Sequence, residues 1–305
     1  MTRIILILAF MVSMPVMAGT YRYSVRPIEI VNKVFVDTIH IKVLKDRVYI
    51  PVKVGGREYW FLFDTGSGMG IISEKSGIKP VVELGTHTSI DYNGKKNTET
   101  VVELPEIKLG STKIRHYPVD YRKRDNGNEV RNRRKINDAL GFALINKGLI
   151  IKIDVKAGIL IITDKKHFFD KERGYAVNYE LRQSVPHVTI EPFDGKRESA
   201  LFDTGNPKFF ALSYECFERL YERDESVREQ VEHIGKEPLI GGVHGSGDSC
   251  MVAKLRLRQY RFGGFCFNDV EAKTKLGVSN IGCGLLQKGT VIINPFKKRI
   301  IFQPY

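Results

Sequence analysis

The sequence predicts an all-β protein built from two similar lobes. Three observations predict it. Short apolar runs alternate with Gly- and Asn-containing turns, the pattern of strands and hairpins. The tetrapeptide Phe-Asp-Thr-Gly occurs twice, ending at Gly66 and Gly205, with Asp64 and Asp203 standing 139 residues apart. A second pair of segments, residues 140–148 and 281–289, repeats in the same order, with Gly141 and Gly282 at an offset of 141. Two landmarks at nearly one offset mark a single duplication; a solenoid would show more copies at a shorter period.

Composition bounds the rest. The chain has 305 residues, with 42% hydrophobic and 27% charged residues. Those are ordinary globular values, and the length suits two domains at about 150 residues each. The 12 Pro and 28 Gly are spread out, which excludes collagen-like and low-complexity classes. Arg3 followed by the apolar run Ile4 to Val12 and by Val16-Met17-Ala18 reads as a secretory signal peptide cut before Gly19. A short N-terminal anchor is the alternative, but the run is too short to span a bilayer. No later stretch reaches 18 apolar residues, so an exported chain without stable membrane insertion is expected. The expected division is 1–18 signal peptide, 19–169 first lobe and 170–305 second lobe.

Each lobe opens on a hairpin. In the first, Pro51 to Val54, a Gly55-Gly56 turn and Tyr59 to Phe63 lead into Asp64. In the second, Val188-Thr189-Ile190, an Asp194-Gly195 turn and Ala200 to Phe202 lead into Asp203. Each lobe closes on apolar strands, Ile150 to Asp154 and Ile159 to Ile162 in the first, Val291 to Asn294 and Ile300 to Phe302 in the second. A charged stretch from Thr163 to Ala176 reads as the lobe boundary. The second lobe carries an insertion, Ser213 to about Ile234, where Phe217, Leu220, Tyr221, Val227 and Val231 recur at helical spacing behind Ser213 as N-cap. Residues 19–36 have no repeat partner. They add an edge strand, as the alternation in Lys33–Val36 and His40–Val43 favours, or form a propeptide whose Arg22 and Arg26 neutralise the site.

A lone Asp-Thr-Gly after a strand is usually only a turn. Two copies in matching halves, with Leu140-Gly141 and Ile281-Gly282 following, resemble the two-lobed pepsin-type aspartic proteases, whose lobes are similar to those of retroviral proteases. The resemblance covers roughly residues 40–305. It implies two β-barrel lobes with a cleft between them and Asp64 and Asp203 as a catalytic dyad that activates water. It further implies support from Thr65, Gly66, Ser67, Thr204, Gly205 and Asn206, with the threonine hydroxyls reaching backbone of the opposite lobe. Ser67 fits the family pattern and is expected to hydrogen-bond Asp64. Asn206 replaces the family's small residue, and Asn280 replaces an apolar one.

The chemistry suits the residue type. Two adjacent carboxylates cannot both ionise easily, so one keeps a proton to polarise the carbonyl while the other activates water. No metal and no cofactor are expected: seven His carry no His-Glu-x-x-His pattern and the four Cys no Cys-x-x-Cys pair. Cys216, Cys250, Cys266 and Cys283 allow three disulfide connectivities. A flap over the cleft is expected at the Asn93-Gly94 tip, with Tyr92 as its tyrosine. The Gly-rich segment 241–247, with His244 and Gly245, reads as a second flap or as a plain loop.

The charge is uneven. Lys and Arg total 48 against 35 Asp and Glu, a net +13. Basic residues cluster at 122–124 and 131–135, read as a solvated loop or a processing site; nothing interleaves them with aromatics as a nucleic-acid surface would. The expected partners are peptide or protein substrates, met by a monomer. A catalytically silent peptide- or protein-binding chain on the same fold is the alternative function. A processing protease with one natural substrate is a third.

Overall fold

The structure is a computed structural model and describes residues 21–23, 26–90, 96–123, 138–238 and 249–305. The signal segment 1–18, the tip residues Tyr92, Gly94, His244 and Gly245, and the basic loop beyond residue 123 lie outside the described residues. Among the described residues no helix is long and apolar enough to cross a membrane.

The fold is all-β, carried by sheets of 12 and 13 strands. The first lobe's hairpin pairs Arg47–Val54 with Arg57–Phe63 around Gly55 and Gly56. Both glycines have positive φ (55° and 84°), the backbone that a two-residue turn matching strand twist demands. One face of the hairpin is apolar and buried: Val48, Ile50, Val52, Val54, Phe61 and Phe63. Each such side chain contributes about 1.5–3 kcal/mol of burial. The second lobe repeats the plan, with Val185–Phe193 against Lys196–Asp203 and Val188, Ile190, Ala200 and Phe202 buried. A register shift between Ile190 and Phe193 makes this second hairpin irregular where the first is not.

The two repeated landmarks meet in space. Strand Arg57–Phe63 runs parallel to Ala139–Leu140, with Leu62 opposite Ala139 and Phe63 opposite Leu140. In the second lobe Leu201 lies opposite Asn280 and Phe202 opposite Ile281, again in parallel. Parallel neighbours need a long crossover, and here the crossover is most of a lobe. Ala139 and Asn280 are therefore equivalent positions, each beside the strand that ends in an aspartate.

Six strands run consecutively across the lobes in the 13-stranded sheet: Val36–His40, Ile159–Thr163, Ile150–Asp154, Gly289–Asn294, Arg299–Pro304 and Tyr175–Arg182. The junction is antiparallel, with Ile151 opposite Ile293. Their apolar faces join one continuous core that also holds Phe63, Phe142, Phe202 and Phe262. The charged stretch 164–174 forms turns between two of these strands, and ion pairs tie it down through Lys152–Glu172 and Lys297–Asp170.

Two expectations are adjusted. The insertion is helical only from Tyr214 to Arg223 and from Glu225 to Arg228, capped by Ser213 and Asp224. Val231 and Ile234, expected on the helix, lie in strand Val231–Pro238 because Leu255 and Ala253 offer them backbone partners. Before the first lobe, residues 36–40 and 42–44 form strands, while Val34 turns with positive φ and its N–H donates to Asp164. Tyr21–Tyr23 pairs with Gly85–His87. All four cysteines are free thiols.

Candidate active site

Asp64 sits just past strand Arg57–Phe63 and Asp203 ends strand Lys196–Asp203, each leading into a loop that the following segment threads. The Asp64 N–H donates to the Leu140 carbonyl at 2.9 Å, fixing where the strand ends. The chain then curls so that Phe142 N–H donates to the Ser67 carbonyl (2.7 Å), and Cys283 N–H donates to that of Asn206 (2.7 Å) in the second lobe. Gly141 and Gly282 pass inside these loops. A Cβ on Gly141 would lie 2.7 Å from the Ser67 carbonyl oxygen, and one on Gly282 2.5 Å from that of Asn206. The repeated Gly is thus a steric requirement of the threading.

The two loops meet across the cleft. Gly66 and Gly205 lie back to back with the opposite aspartates. A Cβ on Gly66 would stand 2.6 Å from Cγ of Asp203, and one on Gly205 2.6 Å from Cγ of Asp64. Thr65 and Thr204 interlock beneath them and are fully buried. The Thr65 hydroxyl donates to the Phe202 carbonyl (2.6 Å) and accepts from Thr204 N–H (3.0 Å). The Thr204 hydroxyl donates to the Phe63 carbonyl (2.6 Å) and accepts from Thr65 N–H (3.0 Å). Four buried hydrogen bonds hold each loop to the other lobe, and removing either hydroxyl would strand two backbone groups away from water.

The carboxyls hydrogen-bond each other, and their surroundings differ. Asp64 accepts from Gly66 N–H at 3.0 Å. Asp203 accepts from Gly205 N–H (3.0 Å) and Asn206 N–H (3.2 Å) on Oδ1, and from the Asn280 amide (3.2 Å) on Oδ2. Burial pushes both carboxyls above the ordinary carboxylate range, and the neighbouring Asp203 charge raises Asp64 further, to about 7. Lys275 opposes the rise at Asp203, and Gly66 N–H and then Arg47 oppose it at Asp64. The pair titrates as one unit, so a single proton shared between the carboxyls is its expected state over a broad pH range.

Ser67 departs from expectation. Its hydroxyl donates to the Met69 carbonyl at 2.5 Å, not to Asp64, because the loop doubles back at Gly68 and presents that carbonyl first. Asn206 departs too. Its side-chain amide donates to Asn280 Oδ1 (2.6 Å), and only its backbone N–H reaches Asp203. The amide on the Asp203 carboxylate belongs to Asn280, whose polar side chain at an apolar position was the available signal.

Other contributors left no mark in the sequence. Arg47 follows a turn at Lys45 and Asp46, both with positive φ, and its Nε donates to the Gly205 carbonyl of the other lobe at 2.7 Å. The second lobe answers with a turn at Gln183 and Ser184, again both positive, placed against Gly68 and Asn146. Tyr117, fully buried, accepts from Gly141 N–H at 3.0 Å and props the first threading segment. Cys283, buried beside Asn206, has its thiol pushed up to about 12 by burial and stays protonated. Among the described residues the basic groups bearing on the aspartates are Arg47 and Lys275; of the two arginines expected in that role, Arg26 is exposed and the side chain of Arg22 lies outside the described residues. Among the described residues no three His, Cys, Asp or Glu are grouped to hold a metal.

Strands lead toward both expected flap tips. Val82–Ile90 pairs with Lys96–Glu103 up to the Ile90–Lys96 pair, and Val231–Pro238 pairs with Ser249–Phe262 up to Pro238–Ser249.

This architecture places the chain among pepsin-type folds. Residues 50–132 match a family model described as aspartyl protease, a stretch that contains Asp64-Thr65-Gly66 and ends before the second motif. The structure is similar to the crystal structure of aspartic proteinase from Irpex lacteus, with a TM-score of 0.52 and 12% identity. The likeness covers 88% of this chain and 97% of that one, and at this identity it is a likeness of fold. No curated protein matches the sequence.

Proposed function

We propose that the protein is an aspartic endopeptidase that hydrolyses peptide bonds in the cleft between residues 19–169 and 170–305. The observation that carries this reading is the meeting of Asp64 and Asp203, one from each lobe, braced by Thr65 and Thr204. Pre-organised charge at such a site costs nothing to rearrange during reaction.

The steps follow from one shared proton. The ionised carboxylate takes a proton from a water held between the pair, and the water oxygen bonds to the peptide carbonyl carbon. The protonated carboxyl gives its proton to the carbonyl oxygen, leaving a neutral diol. The carboxyl that gained the water's proton then passes it to the amide nitrogen, the C–N bond breaks, and the diol's proton returns to the pair. Water adds as OH on one product and H on the other, and the dyad ends as it began.

Substrates are peptides or proteins bound extended in that cleft. Residues 1–18 support export, after which the remaining chain acts as a monomer. The silent-binder reading draws on Asn206 and Asn280, yet both side chains join the hydrogen bonding around Asp203. The test is to incubate residues 19–305 with a random peptide pool from acid to neutral pH and read cleavage by mass spectrometry. Cleavage by the wild type and none by Asp64→Ala or Asp203→Ala is expected. Cleavage surviving in either variant, or none by the wild type at any pH, contradicts the proposal.

A further inference from the structure

The repeat gives each aspartate an equivalent setting, so any difference between the two halves is informative. Ala139 and Asn280 occupy the same register position beside Leu62 and Leu201. Ala139 offers no polar atom. Asn280, buried, donates its amide to Asp203 Oδ2 at 3.2 Å. Its orientation is forced from behind: Asn280 Oδ1 accepts from the Asn206 amide at 2.6 Å, and Asn206 Oδ1 accepts from Lys208 N–H at 3.1 Å. Every amide in this relay points its donor toward Asp203, and a carboxylate facing only donors is held as the anion.

A second difference lies one strand further out. Arg122 and Lys275 are equivalent, opposite Ser73 and Ser213. Arg122 is paired with Glu99 at 2.9 Å. Lys275, half-buried, favours the charge on Asp203. On the other side, Arg47 reaches toward the pair from the first lobe's hairpin and favours charge on Asp64, but its Nε is committed to the Gly205 carbonyl. The remaining titratable neighbours among the described residues stay neutral: burial raises the Cys283 thiol, and burial likewise raises the Tyr117 phenol, which lies near Asp64. Among the described residues Asp203 thus receives three N–H donors and Asp64 one.

We infer that Asn280, oriented by Asn206, is a positioning residue that makes the dyad permanently asymmetric, with Asp203 the charged base and Asp64 the carrier of the shared proton. The inference rests on the endopeptidase reading for its kinetic consequence, though the proton's place can be read without activity.

The experiment compares wild type with Asn280→Ala, which installs the residue that the other lobe already accepts at this register. The pH profile of kcat/KM has an acid limb, where the pair loses its first proton, and an alkaline limb, where it loses its second. If the single charge sits on Asp203, losing the amide destabilises the singly and the doubly charged states alike. The acid limb then moves up by about one pH unit, a tenfold change in that proton equilibrium, and the alkaline limb stays. If the charge sits on Asp64, only the doubly charged state suffers and the alkaline limb moves. Movement of the alkaline limb, or of neither limb, overturns the inference. Asn206→Ala, which frees Asn280 to rotate, should shift the acid limb in the same direction by less, and serves if Asn280→Ala misfolds. Carbon-13 NMR titration of the aspartate carboxyls gives the same decision without catalysis: the first ionisation should fall on Asp203 and rise in Asn280→Ala. An inactive wild type with that titration pattern would defeat the endopeptidase reading alone.

Discussion

Single atoms decide whether this site works. The hydroxyls of Thr65 and Thr204 each satisfy two buried backbone groups of the opposite loop. Thr65→Val keeps the volume and loses both bonds, so urea denaturation should show a loss of roughly 2–6 kcal/mol, at about 1–3 per stranded group. An unchanged midpoint would mean that water or a shifted backbone repairs the gap. Asp64 makes a prediction of opposite flavour. Its carboxyl is raised to about 7 in the fold against an ordinary 3.8. Between those values the unfolded chain is ionised while the folded chain keeps its proton, so its contribution to stability falls as pH rises from about 4 to about 7. Asp64→Asn should flatten that part of the stability profile. Equal slopes in variant and wild type would show that the raised carboxyl is not there.

At the scale of elements, the threading glycines and the helix cap are the sharpest tests. Gly282→Ala drives a Cβ into the Asn206 carbonyl, backbone against backbone, where no side chain can swing away. Overpacking of about 1–3 kcal/mol is expected, with kcat falling more than KM rises, since the loop carrying Asp203 must move. A variant with wild-type melting and kcat would remove the steric argument. Ser213 caps helix Tyr214–Arg223 through Cys216 N–H, and Ser213→Ala should cost about 1 kcal/mol in denaturant without moving the pH profile. This cap was readable from the sequence, because Ser before an amphipathic run is a local signal. The helix end was not. Val231 and Ile234 keep helical spacing, yet strand Ser249–Phe262 claims their backbone, and nothing within the helix announces partners 24 and 19 residues on.

At the scale of the whole molecule, the six-stranded run joining residues 36–40, 150–163, 175–182 and 289–304 makes the lobes share one sheet and one core. A single calorimetric transition is expected, with calorimetric and van't Hoff enthalpies equal. Two resolved transitions would mean that the lobes melt separately. The duplication made the two-lobed fold legible, since a repeated order of landmarks survives even where side chains diverge. The junction of Ile151 with Ile293 was not legible: apolar strands reveal that they are buried, not against which strand. The aspartates were legible because their neighbours in sequence are also their neighbours in space. Asn280, Lys275 and Arg47 come to Asp203 and Gly205 from 77, 72 and 158 residues away, a distance that only the fold removes.

The account stands on Asp64 and Asp203 acting as one unit. The direct measurement is a double-mutant cycle on kcat/KM with Asp64→Asn, Asp203→Asn and the double variant, on a peptide the wild type cuts. Each single change should cost about 10³-fold or more, and the double should cost little beyond either one, because half a dyad transfers no proton. A single variant within tenfold of wild type, or losses that multiply in the double, would contradict it.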